Sequence, residues 1–133
     1  MRSMGAASVL LLALLLGVAA CNRSSITALT DVSAQDILSM SEKAEGPVLV
    51  DVRAATEYAS GHVPRAINIP VSEVAERLTE LASYRKQGVV LYCEQGGRAL
   101  KAATILLSAG FPNVRHLKGD MSGWRAAGLP IER

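Results

Sequence analysis

Val89-Val90-Leu91-Tyr92-Cys93-Glu94-Gln95-Gly96-Gly97-Arg98 runs from four unbroken apolar residues, through one cysteine and a polar turn with two glycines, to an arginine. An apolar run of this length suits a strand buried on both faces, as in a parallel sheet. Periodic apolar residues over 99–109 follow, so the turn joins a strand to a helix, and Gly110 is placed to end that helix in the left-handed conformation. Val48-Leu49-Val50, ending at Asp51, repeats the strand pattern. Weaker strand candidates lie at 26–29, 66–69 and 114–117. Ser33 can cap a helix reaching to about Met40. Ser72 can cap another, with Val71, Val74, Ala75, Leu78, Leu81 and Ala82 repeating at three and four. A last helix is expected over about 122–127, ended by Gly128 and Pro130. Strands alternating with helices give an α/β domain with a mainly parallel sheet.

The 133 residues leave room for one such domain, and no repeat, linker or low-complexity tract divides it. Half the residues are apolar and the formal charge is only +2, which excludes a disordered chain. Basic residues are scattered, and the five aromatics (Tyr58, Tyr84, Tyr92, Phe111 and Trp124) form no stacking platform. Nucleic acid is therefore not an expected partner. Two cysteines cannot build a disulfide framework, and no Cys-x-x-Cys pair is present for dithiol redox chemistry.

The apolar content is uneven. Residues 1–20 carry one charge, Arg2, and residues 8–20 (SVLLLALLLGVAA) carry none. A helix that spans a bilayer needs roughly 20 apolar residues. A basic start, a short apolar middle and a small-residue end are instead the pattern of a secretory signal peptide. Val18-Ala19-Ala20-Cys21 resembles the bacterial lipoprotein box. That resemblance implies cleavage before Cys21, a diacylglyceryl thioether on its sulfur and a further acyl chain, of the palmitate kind, on its amine. Two or more chains anchor a protein stably to a bilayer. The alternative is an ordinary signal peptide cleaved nearby, with Cys21 left as a thiol. Asn22 after the cysteine implies the outer membrane, facing the periplasm, if the cell is Gram-negative. The expected organisation is a removed leader over 1–20, a lipidated tether over 21–25 and one folded domain over 26–133. Such a protein would be exported and held to a bacterial membrane.

In an open α/β sheet, ligands sit beyond the carboxyl ends of the strands. Residues 51–53 and 93–98 stand there. Cys93 ends a buried strand, and Gly96 and Gly97 let the following turn adopt positive φ and approach the sulfur closely. Unpaired N–H groups at the helix start, with the positive end of the helix dipole, can then favour thiolate over thiol. Arg98 adds a full positive charge. The same cradle suits a persulfide, which is also anionic. A cysteine at a strand end is equally an inert core residue; the Gly-Gly turn and Arg98 weigh toward reactivity but leave the reaction open. With Cys21 lipidated, one thiol remains beside His62 and His116, too few ligands for zinc, and neither a metal nor a cofactor is expected.

Several separate stretches carry a family resemblance: Val48-Leu49-Val50-Asp51-Val52-Arg53, Glu57-Tyr58, Gly61-His62-Val63-Pro64, Ala66-Ile67-Asn68-Ile69-Pro70, Val90-Leu91-Tyr92-Cys93, and Leu117-Lys118-Gly119 with Gly123-Trp124. Together with the Cys-x-x-Gly-x-Arg loop they resemble a single-domain rhodanese (thiosulfate sulfurtransferase) from about Thr30 to Pro130. The resemblance implies a rhodanese-like five-stranded parallel sheet with helices on both faces. It also implies that Cys93 takes a sulfane sulfur from thiosulfate or another persulfide donor and passes it to a thiol or cyanide. Glu94, Gln95, Gly96, Gly97 and Arg98 would bind substrate through their backbone donors. Small sulfur donors and thiol acceptors are then the partners. A non-catalytic module that carries or senses persulfide, or docks a partner protein, is the alternative. Cysteine phosphatases of a related fold have five residues between Cys and Arg; here there are four, a ring suited to one sulfur rather than to phosphate.

Other residues of these stretches have structural rather than catalytic readings. Asp51 and Arg53 are expected to order the loops, with Arg53 reaching Glu57 one helical turn on. His62 is expected to satisfy a turn, and Trp124 to close the last helix over the sheet. Three residues depart from the family pattern. Arg65 and Asp120 stand where glycine is usual; Arg65 is expected to face solvent and Asp120 to cap the last helix. Glu94, beside the nucleophile, is expected to repel thiosulfate by about 1 kcal/mol.

Overall fold

β-Branched runs that cannot face water become the centre of the sheet. In the computed structural model, which describes residues 29–133, β2 (Val48–Asp51) and β4 (Val89–Tyr92) are buried at every position. They pair in parallel from Val48 opposite Val89 to Asp51 opposite Tyr92. β5 (Val114–Leu117) adds beside β4, and β1 (Thr30–Val32) beside β5. β3 (Ile67–Asn68) pairs with β2. The five parallel strands lie in the order β1-β5-β4-β2-β3. The leader, Cys21 and the tether lie outside the described residues, as does all but Leu29 of the strand expected over 26–29.

Among the described residues, three α-helices connect strands, α1 (Ala34–Ser41), α2 (Ala55–Ser60) and α3 (Gly97–Ser108), and α4 (Asp120–Ala126) follows β5. Ser33 caps α1 as its position suggests, its Oγ accepting the Asp36 N–H at 3.1 Å. Gly110 follows α3 at φ +80°. α4 begins at Asp120, two residues before the expected start, because Gly119 at φ +87° makes the turn into it. Residues 71–84 differ more. No α-helix forms there; two 3₁₀ segments, Val71–Glu73 and Leu78–Tyr84, replace it, and Ser72 lies inside the first rather than capping a helix. The reason is visible in the spacing. Val71 and Val74, and then Leu78, Leu81 and Tyr84, recur strictly at three, the period at which side chains align along a 3₁₀ helix.

Each face of the sheet has its own core. Val50, Leu91 and Cys93 pack with Ala99, Ala102, Ala103 and Leu106 of α3, with Val74 just after the first 3₁₀ segment and with Leu81 of the second. On the other face, Leu49, Val90, Tyr92 and Leu117 meet Ile37 of α1 and Met121 and Trp124 of α4. Trp124 is almost fully buried and donates its indole N–H to the Pro130 carbonyl at 2.7 Å, which ties the chain end over α4. Replacing the fully buried Leu106 by Ala is expected to cost about 2–5 kcal/mol in urea unfolding. The same change at Leu100, 59% exposed on the outer side of α3, is expected to stay within about 0.5 kcal/mol. Equal losses at the two positions would contradict this packing.

Candidate active site

The sheet order reverses between β2 and β4, since the chain leaves β2 toward β3 but leaves β4 toward β5. The loops after those two strands diverge there, at the carboxyl ends where ligands sit in open sheets of this kind. Cys93 is the first residue beyond β4 and retains 1% exposure. Its Sγ accepts the Gly96 N–H at 3.0 Å. Of the amides expected around the sulfur, this is the one that forms a hydrogen bond to it. Gly96 has φ +111°, and a Cβ there would stand 3.1 Å from an Asp120 oxygen, so both conformation and space call for glycine. The turn is held from behind by the start of α4: Met121 N–H donates to the Cys93 carbonyl and Ser122 N–H to that of Glu94, at 2.9 and 3.2 Å.

The loop after β2 is ordered by a buried ion pair. Arg53, 2% exposed, donates through Nε and Nη2 to the Asp51 carboxylate at 2.7–3.1 Å, and through Nη2 to the Gly61 carbonyl at 2.7 Å. Burial opposes the charge on Arg53, but its bonds to Asp51 outweigh that and raise its pKa. Arg53 does not reach Glu57. That carboxylate is taken by Arg98 of α3 at 2.6 and 3.0 Å. The Arg98 guanidinium holds Glu57 well below the usual carboxylate range, at about 2.

Glu94 is not a free negative charge. Arg125 of α4 grips it through both terminal nitrogens at 2.7–3.0 Å, and Arg53 Nη1 approaches its other side at 3.3 Å. Arg125 is 44% exposed, so this pair lies at the surface beside the turn. Gln95 and Gly97 are exposed on the same turn. His62 stands apart from the sulfur in role: its Nδ1 pairs with the Tyr58 carbonyl at 2.9 Å, its ring stacks on Tyr58, and its backbone pairs with that of Glu132. It secures a turn and the chain end.

The sequence pattern of the rhodanese-like domain matches residues 33–127. The chain belongs to the rhodanese-like family. Over 87 residues it is 36% identical to a sulfurtransferase of Allochromatium vinosum, a match covering 65% of this chain and 79% of that protein. It is 35% identical over 93 residues to chloroplastic thiosulfate sulfurtransferase 16 of Arabidopsis thaliana, covering 62% and 78%. An HTH-type transcriptional regulator of Mycobacterium tuberculosis is 45% identical over 86 residues, but this chain spans only 37% of its length. A crystal structure of thiosulfate sulfurtransferase from Pseudomonas aeruginosa superposes with a TM-score of 0.71 at 28% identity, covering 79% of this chain and 20% of that one.

Arg65 and Asp120, the two positions where the resemblance led to an expectation of glycine, both have left-handed backbone, at φ +65° and +55°. Arg65 is exposed, as expected, and its guanidinium meets the Ser41 carbonyl. Asp120 does not cap α4. It is the first residue of that helix, almost fully buried, and its carboxylate turns back to the Cys93 N–H at 2.9 Å. His116, which sequence reasoning left without a role in the site, contacts it at 3.0 Å. Only the four-residue spacing of His116 and Asp120 hinted at this contact, and the glycine between them hid it.

His116 is pushed up to about 9 by its bond to Asp120, against the effect of burial and with help from Asp31. Burial alone would raise Asp120, but His116 and the Cys93 N–H together hold it low. A histidine whose pKa is higher folded than unfolded adds stability in full below about pH 6.5, and that stability is lost as pH rises through about 9. The unfolding free energy is therefore expected to fall by on the order of 2–3 kcal/mol between pH 6.5 and 9.5, and His116→Gln is expected to flatten that slope. An identical slope in the variant would contradict the pairing.

Proposed function

We propose that this domain is a sulfurtransferase that carries a sulfane sulfur on Cys93. The observation that supports this reading is the sulfur itself: held at the end of a buried strand, bonded to the Gly96 amide, and the one free cysteine among the described residues. The named sulfurtransferases among its relatives point the same way. The Cys93 thiolate attacks the outer sulfur of thiosulfate or another sulfane donor. With thiosulfate, the donor S–S bond breaks, sulfite leaves with the bonding pair, and a Cys93 persulfide anion remains. The Gly96 N–H then faces an anionic sulfur in both halves of the cycle, which is where a fixed donor is most effective. A thiol or cyanide takes the outer sulfur and regenerates the thiolate.

Glu94 shapes the choice of donor less by repulsion than by occupation. Its carboxylate fills the Arg125 guanidinium that an anionic donor would otherwise meet beside the turn. In thiosulfate:cyanide turnover by the full chain, wild type is expected to form thiocyanate and Cys93→Ser to form none. Equal inactivity of both with several donors would replace the enzyme by a module that binds or senses persulfide. Glu94→Gln is expected to lower the KM for thiosulfate about threefold at low salt by freeing Arg125. An unchanged KM would remove Glu94 from donor selection.

We further propose that residues 1–20 are a removed leader and that the domain, taken as residues 26–133, is tethered through residues 21–25 to a bacterial membrane by lipid on Cys21, facing the periplasm where the cell has one. The leader composition and the small residues before Cys21 support this. The mature protein is expected in the membrane fraction with the mass of an acylated cysteine, and Cys21→Ala is expected to lose both. A soluble, unacylated wild type would count against the anchor.

A further inference from the structure

Behind the Cys93 turn runs a chain of polar side chains that sulfur transfer as described does not use. Asp31 of β1 lies opposite His116 of β5 in the sheet register, and its carboxylate meets the imidazole Nδ1 at 2.9 Å. The other ring nitrogen, Nε2, meets both Asp120 oxygens at 3.0 and 3.1 Å. Asp120 Oδ1 accepts the Cys93 N–H at 2.9 Å, while Oδ2 lies against Gly96, whose amide holds the sulfur. One carboxylate therefore bonds the first residue of the turn and fills the space a side chain at Gly96 would need.

Side-chain exposure falls along this chain, from 56% at Asp31 through 17% at His116 to 4% at Asp120. A carboxylate that deep needs a compensating charge. Beside the sulfur, an uncompensated one would also oppose a thiolate or a persulfide. The charged groups facing His116 are Asp31 from β1 and Asp120 from α4, with Cys93 beyond Asp120. Its register partner on β4 is the uncharged Leu91. The backbone adds an independent sign: Asp120 keeps a side chain at φ +55°, a conformation that favours glycine.

We propose that Asp120, held by His116 and through it by Asp31, is the positioning residue of Cys93: it fixes the cysteine amide, and so the direction of Sγ toward Gly96, while the imidazole cancels its charge. The purpose of this device rests on the sulfur-carrier reading, but its test does not. Asp120→Gly removes the acceptor at a backbone conformation glycine adopts freely. Asp120→Asn keeps an acceptor for the Cys93 N–H without the charge.

Alkylation of Cys93 in the full chain by iodoacetamide needs no sulfur donor and reads the sulfur directly. Asp120→Gly is expected to slow it about tenfold at pH 7, and Asp120→Asn to recover it to within about threefold of wild type. The ratio of the iodoacetate to the iodoacetamide rate reads local charge, whatever fraction of the sulfur is ionised. In wild type that ratio is expected to fall as pH rises, with a midpoint near 9, as His116 loses its proton; in His116→Gln it is expected to be low and flat. An Asp120→Gly chain alkylated at the parental rate, or an Asp120→Asn chain no better than Asp120→Gly, overturns the positioning role. A ratio that ignores both pH and His116→Gln overturns the charge role. Should no donor load sulfur onto Cys93 while these alkylation results hold, the carrier reading fails and this assignment stands.

Discussion

Cys93, directly after β4, and a helix that begins at Gly97 leave three residues between them to turn the chain, and that shortness shapes the site. The turn must curl back over Sγ, Gly96 must take a left-handed backbone, and its N–H arrives 3.0 Å from the sulfur. Neither end of the turn can relax. Cys93 follows a strand whose four residues are buried, and α3 is pinned to the same face of the sheet by Ala99, Ala102, Ala103 and Leu106. Rigidity of this kind lets one hydrogen bond define where a second sulfur atom would sit.

Charge around the turn is abundant but paired. Arg53 closes on Asp51, Arg98 on Glu57, Arg125 on Glu94 and His116 on Asp120. The Arg53–Asp51 pair is the most deeply buried, and removing either partner would strand a charge in the core, which is far costlier than the pair's own net contribution. The pairs nearer the surface are weaker and screened by salt. They differ in use as well as in strength. Arg53 ties the loop after β2 to the carbonyl of Gly61, whereas Arg125 and Glu94 pair at the surface. Under the proposed function, an anionic donor would compete with these carboxylates for the guanidiniums.

The sheet was legible because Val48–Asp51 and Val89–Tyr92 have few alternatives to full burial. Ser33 and Gly110 marked their helices correctly, since caps act locally. Where repeats at three and at four coincide, as at Val71, Val74 and Ala75, the α and 3₁₀ readings cannot be told apart without the later run of threes. α2 was read only as the single helical turn from Arg53 to Glu57, because Ala54 offers no side-chain cap; Glu57 supplies the contact instead, accepting the Ala54 N–H at 3.0 Å. The sulfur and its glycine turn were visible as a local pattern. The partners of Arg98, Glu94 and Asp120 were not, because Glu57, Arg125 and the Cys93 amide are brought to them by the fold rather than by neighbouring sequence. Asp120 shows the difficulty best: read alone it is a helix cap, and only the closeness of α4 to the end of β4 turns it toward Cys93.

The most direct test of a sulfur carrier is the mass of the carrier. After exposure to thiosulfate and removal of excess donor, intact-mass and peptide analysis should place a gain of about 32 Da on Cys93, removed by cyanide or a thiol and absent from Cys93→Ser. A folded chain whose Cys93 stays at the mass of a plain thiol with thiosulfate and with every other sulfane donor tried would contradict the proposed chemistry, whatever its fold.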